Sequence, residues 1–349
     1  MRSPDLSELP PPPSDKTGWP WTGVSKGLPA IRLDSSPCPR VTIVTPSYNQ
    51  AEFIEETIRS ILLQGYPNLE YIIIDGGSSD SSIEIIRKYE PWLKHWVSEP
   101  DSGQSEALNK GFGHATGSIL TWLNSDDRLQ PGAIQAAVEF FLQHPNVGIV
   151  YGDYNIIEAS GELLGSYKSP DFDLHHQIVR QLITQPAAFF RGIVWDQVGP
   201  LNTKFHYIMD RDFWTRAALT FPIVHMGALI ADVRFHDKSK TVAQTVNFLL
   251  EERQFLDDFF SLPNLPAQIK DFESQARGAN YFSTGREYLR GQNKKEARNA
   301  LEYAWNTYPL HYNKLIIIPF WLDTIFNTNI GLPLFRLVTR LKNPGQFSA

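Results

Sequence analysis

With one cysteine, Cys38, among 349 residues, the chain has no intrachain disulfide framework and no zinc site built from several thiolates. It has nothing internal to oxidise, which suits a reducing compartment. Long hydrophobic runs are also missing. The longest near the end, Leu315 to Leu322, is eight residues and stops at Asp323. A bilayer-spanning helix needs roughly 20 apolar residues, so no transmembrane segment is expected. The first residues carry no apolar signal core, which argues against export by that route and for a cytoplasmic protein. A global basic field is absent, because the net charge is −6, and this argues against nucleic acid as a partner. No GxxxxGK[ST] sequence occurs, so a phosphate-loop NTPase is not expected.

Proline, by contrast, is concentrated. Residues 1–39 hold nine of the 25 prolines, including the run Pro10 to Pro13, and read as an extended arm. Periodicity begins at Val41. Apolar, β-branched runs at Val41–Val44, Tyr71–Ile74, His95–Val97, Ile119–Leu123 and Val147–Tyr151 alternate with stretches of helical spacing such as Phe53, Ile54, Thr57, Ile58, Ile61 and Leu62. That alternation predicts βαβ units and a parallel sheet covered on both faces. The pattern turns irregular from Glu162 to Arg234 and helical from about Val242. Within the helical part, Ala276 to Pro309 resembles one tetratricopeptide-like hairpin around a Gly-Gln-Asn turn, and a single unit makes no array. Residues 286–349 carry nine Lys/Arg against four Asp/Glu, a local +5 that leaves −11 for the rest.

Open α/β sheets bind ligands at the carboxyl ends of their strands, so the loops there matter most. The first is Thr45-Pro46-Ser47-Tyr48-Asn49, the second Asp75-Gly76-Gly77-Ser78-Ser79-Asp80, and the fourth Asn124-Ser125-Asp126-Asp127. Asp80 reads as a helix N-cap or a first-turn acid. Asp126 and Asp127 read either as turn residues before Pro131 or as a carboxylate pair awaiting a hard divalent cation, Mg²⁺ or Mn²⁺. Gly111 to Gly117 imitates a dinucleotide fingerprint, but it precedes a strand and its spacing is GxGxxxG.

Taken together, VTIVTPSYN (41–49), YIIIDGGSSD (71–80), EPDSGQSEALNKGFGHATG (99–117) and LTWLNSDD (120–127) resemble, in order and spacing, a family 2 glycosyltransferase. The likeness covers about residues 40–237. It implies a GT-A fold, a Rossmann-like, mostly parallel sheet flanked by helices over residues 40–240, with a helical appendage over 241–349. It implies that Pro46, Tyr48 and Asn49 line the nucleotide pocket, that Asp75 accepts a hydrogen bond from the base, and that Gln104 and Asn109 face the ribose and diphosphate. Asp126-Asp127 take the place of the metal-binding Asp-x-Asp signature. With Asn124 in its first position, Asp127 is expected to carry the metal, with Asp126 nearer the ribose. Met209-Asp210 stands where the family more usually has Glu-Asp, which makes Asp210 the catalytic base, while Asp212 faces elsewhere. His236 is expected either to complete the metal site or to be structural. Gln185, Arg211, Trp195 and Trp214 are candidate acceptor contacts, with core packing as the other reading for the aromatics.

The resemblance implies an inverting, metal-dependent transfer from a nucleoside-diphosphate sugar to a hydroxyl of a glycan, lipid-linked or other acceptor. Two rival readings remain: a catalytically idle nucleotide-sugar-binding scaffold and a sugar-phosphate nucleotidyltransferase. The latter lacks the Gly-rich, basic first loop that a triphosphate requires. The basic C-terminal helices suggest either packing on the catalytic domain or peripheral contact with the anionic inner face of a membrane.

Overall fold

All seven residues from Val41 to Ser47 are buried, and so are all seven from Leu69 to Asp75. Runs of this kind, dominated by Val, Ile and Thr, stay extended and need cover on both faces. In the computed structural model, which describes residues 3–26, 36–236, 244–307, 316–326 and 330–335, they form the centre of one sheet. The chain divides into two compact units, Met1–Gln177 with Gln181–Ser239, and Ile178–Arg180 with Lys240–Ala349. The expected boundary at residues 240/241 and part of the proline-rich segment, residues 27–35, lie outside the described residues.

The strands of the first unit are β1 (Val41–Ser47), β2 (Leu69–Asp75), β3 (His95–Ser98), β4 (Ile119–Trp122), β5 (Arg128–Leu129), β6 (Ile149–Glu158), β7 (Leu163–Tyr167), β8 (Ala188–Arg191) and β9 (Ile223–Phe235). The helices with them are α1 (Ile54–Leu62), α2 (Ser82–Tyr89), α3 (Gln104–Gly113), α4 (Ala133–Gln143), α6 (Gly192–Val198) and α7 (Met209–Ala218), while α5 (Leu174–Val179) has its last two residues in the second unit. The order β3-β2-β1-β4-β8-β6-β9-β5 starts with four parallel strands and turns antiparallel at β8. The four strands anticipated from apolar runs before residue 125 are therefore present and parallel, as is β6. Between β1 and β4 the strand order reverses direction, and it is there that a doubly wound sheet opens a crevice for a ligand. Register aligns Ser47 with Asp75 and Asp75 with Ser98, so three polar strand ends share one edge.

One face is covered by α1, α2 and α4. Ile54, Ile58, Ile61 and Leu62 recur at helical spacing on α1 and join Ile85, Ile86 and Phe141 in a single core. The other face is aromatic: Trp122 stacks on Trp214 at 5.2 Å, with Phe190 and Phe213 edge-on to it at 6.2 and 6.3 Å. α3 lies so close to the sheet that a Cβ on Gly111 would sit 2.4 Å from Val44 Cγ1. The glycine of the false dinucleotide fingerprint is thus a packing device. Its replacement by Ala must displace buried, χ1-stiff Val44 and Ile74. We expect Gly111→Ala to cost a net of about 1–2 kcal/mol, the overpacking outweighing the better helix propensity, read as a lower urea midpoint at unchanged slope.

The proline-rich segment is held against this unit. Arg59 of α1, fully buried, donates to the carbonyls of Pro10 (2.9 Å), Pro20 (3.2 Å) and Trp21 (2.8 Å) and to Tyr89 Oη (3.2 Å). Trp19 Nε1 donates to Leu129 O at 2.8 Å, and Leu9 and Trp21 are buried.

The second unit holds α8 (Thr245–Phe260), α9 (Ala267–Lys270), α10 (Glu273–Arg290), α11 (Lys294–Thr307) and α12 (Ile317–Phe326). The Gly-Gln-Asn turn joins α10 to α11 as expected, although both helices are longer than a short repeat hairpin. Phe282, Leu301, Ala304, Ile317 and Phe320 form its core.

Candidate active site

The first two loops are tied to each other. Asn49 has φ +52°, a left-handed conformation that Asn tolerates. Its Oδ1 accepts from Ser79 N at 2.8 Å and its own N–H donates to Ser78 Oγ at 2.8 Å. Asp80 accepts from Ala51 N and Ser82 N, both at 3.0 Å, so it satisfies the first amide of α2 and also anchors the first loop. These bonds leave Tyr48, the residue between, 61% exposed at the end of β1. An aromatic ring held out at that edge is a stacking surface.

Asp75 is fully buried. Its Oδ2 accepts from Gly77 N (3.2 Å), Ser78 N (2.8 Å) and Ser98 Oγ (2.7 Å), and its Oδ1 from Ser78 Oγ (2.6 Å). The carboxylate therefore shapes its own loop and keeps acceptor capacity only on Oδ1. Above it, a Cβ on Gly76 would fall 2.9 Å from Asp101 Oδ2. Asp101, which sequence reasoning passed over, accepts from Gly103 N at 2.9 Å, and burial, with repulsion from Glu106 and Asp75, raises its carboxyl above the ordinary range.

From α3 a chain of contacts runs to the fourth loop. Gln104 Nε2 donates to Asn124 Oδ1 at 2.7 Å, and Asn124 Nδ2 donates to Asp127 Oδ2 at 3.2 Å. Asn109 does not join it: its amide bonds Leu201 N and O at 2.8 and 2.9 Å, an arrangement that fixes the 200s loop.

The two carboxylates have separated roles. Asp127 is buried, and its Oδ1 accepts from Arg234 N at 2.9 Å. Desolvation, then repulsion from Asp126, pushes its carboxyl well above the usual range. Asp126 instead points its Oδ2 at His236 Nε2, 3.2 Å away. His236 follows β9 directly, and β9 pairs with β5 just beyond the Asp-Asp loop, with Arg128 opposite Asp232. The pairing explains how residues 110 apart in sequence meet.

Behind this pair lies a buried charge network. Arg234 donates to Asp126 O (2.8 Å) and to Glu56 Oε2 (2.8 Å), while Arg128 bridges Glu56 and Asp232. Gln130 and Asn155 also donate to Asp232. The backbone carrying Asp126 and Asp127 is thereby fixed from three strands.

A cation fits Asp126 and His236. Cis ligands around an ion with bonds of ~2.1 Å lie about 3 Å apart, close to the observed spacing, and two protein ligands leave positions for phosphate and water. Carboxylate plus imidazole suits Mn²⁺ as well as Mg²⁺.

Asp210 stands in the first turn of α7 and is half-buried. Gln181 Nε2 donates to its Oδ2 and also to Ile183 O. Burial raises its carboxyl to about 6, partly offset by the Arg211 amide and Gln181. Of the expected acceptor contacts, Trp214 is a correction: it is fully buried and stacked on Trp122, because the aromatic face of the sheet needs filling. Trp195 packs on Phe112 at 4.4 Å. Gln185 is buried, with Nε2 on Trp122 O at 2.6 Å and Oε1 without a partner among the described residues. Arg211 is 4% exposed.

The sequence model described as glycosyl transferase family 2 matches residues 42–192. The chain is 32% identical over 198 residues to an uncharacterised glycosyltransferase of Mycobacterium tuberculosis, covering 56% of this chain and 74% of that one. It is 29% identical over 179 residues to a PGL/p-HBAD biosynthesis glycosyltransferase of Mycobacterium bovis, with 50% and 68% covered. In fold it is similar to residues 1–349 of S. aureus TarS, crystallised with UDP-GlcNAc, at TM-score 0.61, 15% identity and coverage of 85% and 92%. A mannosyltransferase from Pyrobaculum calidifontis in complex with GDP-Man and Mn²⁺ is similar at TM-score 0.56 and 19% identity, with 86% of each chain covered. At such identities the likeness to solved structures speaks of the fold alone.

Proposed function

The chain belongs to glycosyl transferase family 2 and has the mixed α/β fold of GT-A glycosyltransferases, and on that premise we propose that it is an inverting, divalent-metal-dependent enzyme. Its donor is a nucleoside-diphosphate sugar and its acceptor a hydroxyl of a glycan or lipid-linked saccharide. The observation that carries the reading is the meeting of Asp126 Oδ2 and His236 Nε2 at 3.2 Å on the carboxyl edge of the sheet.

Each side chain has a task. Tyr48 offers its exposed ring to the base, and Asp75, fully buried, holds the Gly77-Ser78 loop in shape around it. Asp126 and His236 would hold the metal, and Asp127, turned to Arg234, positions them. This reverses the division of labour expected from the Asp-x-Asp resemblance. When bound, the cation offsets the negative charge that develops on the departing nucleoside diphosphate. Asp210 takes the acceptor hydroxyl's proton as that oxygen bonds to the anomeric carbon and the sugar–phosphate bond breaks. One base opposite the leaving group gives a single displacement with inversion.

The test is a screen of UDP-, dTDP- and GDP-sugars for nucleotide release with and without Mn²⁺, beside calorimetry of the nucleotides. We expect one base to be preferred, and Asp126→Ala and His236→Ala each to weaken Mn²⁺–nucleotide binding by tenfold or more, on the order of the loss seen when metal sites are disturbed. Binding that neither needs Mn²⁺ nor responds to these variants would refute the metal assignment. No heat with any nucleotide would remove the whole reading.

A further inference from the structure

In the second unit, every exposed side chain described between residues 316 and 335 is apolar. These are Ile318 and Ile325, seven apart on one face of α12, and Ile330, Leu332, Pro333 and Leu334 beyond it. The one acid of the stretch, Asp323, is turned inward, where its oxygens accept from Ile330 N at 3.0 Å and Gly331 N at 2.8 Å. Among the described residues of this stretch no exposed side chain is polar, and such a concentration of apolar groups is an interaction surface rather than scattered exposure.

Cations border it. The Arg286 guanidinium lies 4.5 Å from the centre of the Phe335 ring and 5.6 Å from that of Phe320. Arg298 reaches Thr324 O and Oγ1 at 3.3 and 3.4 Å. Neither arginine makes an ion pair among the described residues. The sequence that follows adds Arg336, Arg340 and Lys342 and no acid.

We propose that this face docks on an anionic lipid surface, its isoleucines and leucines entering the headgroup–acyl boundary and its arginines meeting lipid phosphates. Charge selects this occupant. A two-fold pair of copies would gather the cations of both patches into one interface that, among the described residues, holds no outward acid to neutralise them. An anionic bilayer neutralises them and also accepts the apolar side chains. The ten-residue α12 is about 15 Å long, and no helix among the described residues is long and apolar enough to cross a membrane, so the mode is interfacial. The proposal is independent of the transfer chemistry, and its readouts are separate.

The full chain is co-sedimented with phosphatidylglycerol or phosphatidylcholine vesicles at low and high salt, beside the double variant Leu332→Asp/Leu334→Asp and the single variant Arg298→Gln. Partitioning about tenfold better onto phosphatidylglycerol is expected, falling about tenfold in the double variant and about fivefold in Arg298→Gln. Melting temperature and donor hydrolysis in solution should remain at wild-type values. Brominated phosphatidylglycerol should quench the tryptophan fluorescence of the unmutated chain, a readout that does not depend on any variant folding. Equal partitioning onto both lipids, wild-type binding by the double variant, or no quenching overturns the proposal. So does a dimer in solution that the double variant dissolves, for then a second copy covers this face.

Discussion

Asp210→Asn is expected to lower kcat by a factor of 10²–10⁴, the usual contribution of a general base, while the KM for donor and the Mn²⁺–nucleotide affinity stay near wild type. Burial holds the wild-type carboxyl at about 6, so activity should climb about tenfold per pH unit below that value and level off above it. The variant's residual rate should be flat across the same range. Stability should move the other way. The folded-state pKa lies above the ordinary 3.8, so the folded protein binds the proton more tightly than the unfolded chain. Its stability therefore declines from about pH 4 to about pH 6, by up to ~3 kcal/mol, and stays lower above that window. Asn at this position removes the buried charge, so the variant should melt higher than wild type at pH 7.5 and alike at pH 4. A carboxylate whose ionisation destabilises its own fold fits a functional position. Undiminished transfer by a folded Asp210→Asn enzyme would assign the base elsewhere.

Arg234→Met should produce the second large effect. The substitution keeps the stem and removes a charge that is 1% exposed, leaving Glu56 with Arg128 alone and Asp126 O without its donor. Breaking a buried pair by removing one partner costs about 3–5 kcal/mol, or roughly 10 °C in melting temperature for a domain of this size. A merely structural arginine would stop there. Because Arg234 also fixes the backbone of Asp126, the variant should bind Mn²⁺–nucleotide at least about tenfold more weakly, as supporting residues of metal sites do. Arg234→Lys, which keeps the charge and loses the fork, should fall between the two. Calorimetry and thermal unfolding read both effects. Full metal affinity in a destabilised Arg234→Met would limit this residue to holding the fold.

The strands were legible because buried parallel strands are written as continuous β-branched runs, and Val41–Val44 and Tyr71–Ile74 needed no tertiary information. So were the loops at their ends, since topology alone sends Asn49, Asp75 and Asp126 to one edge. What escaped was orientation. Asp126 and Asp127 are neighbours with the same chemistry, and which one faces outward is decided by Arg234, more than a hundred residues later. Trp214 read equally as acceptor platform or core until Trp122 was found beneath it. Gln181, beside Asp210, sits in the irregular stretch where no periodicity marks it. Asp101 stood inside a recognised motif, yet nothing in the sequence showed how closely Gly76 approaches it.

The arm bound by Arg59 has a consequence for the order of synthesis. Residues 3–26 leave the ribosome before Arg59, Tyr66 and Leu129, which receive Pro10, Ser3 and Trp19. Its own structure is a 3-10 turn at Leu6–Glu8 and turns closed on Gly18 O, so the partners that fix it against the sheet come only with α1 and β5. Composition alone reads it as an extended arm. Trimming the chain to Val41 would instead strip three carbonyls from a fully buried guanidinium, so a piece that keeps Arg59 paired begins no later than Pro10.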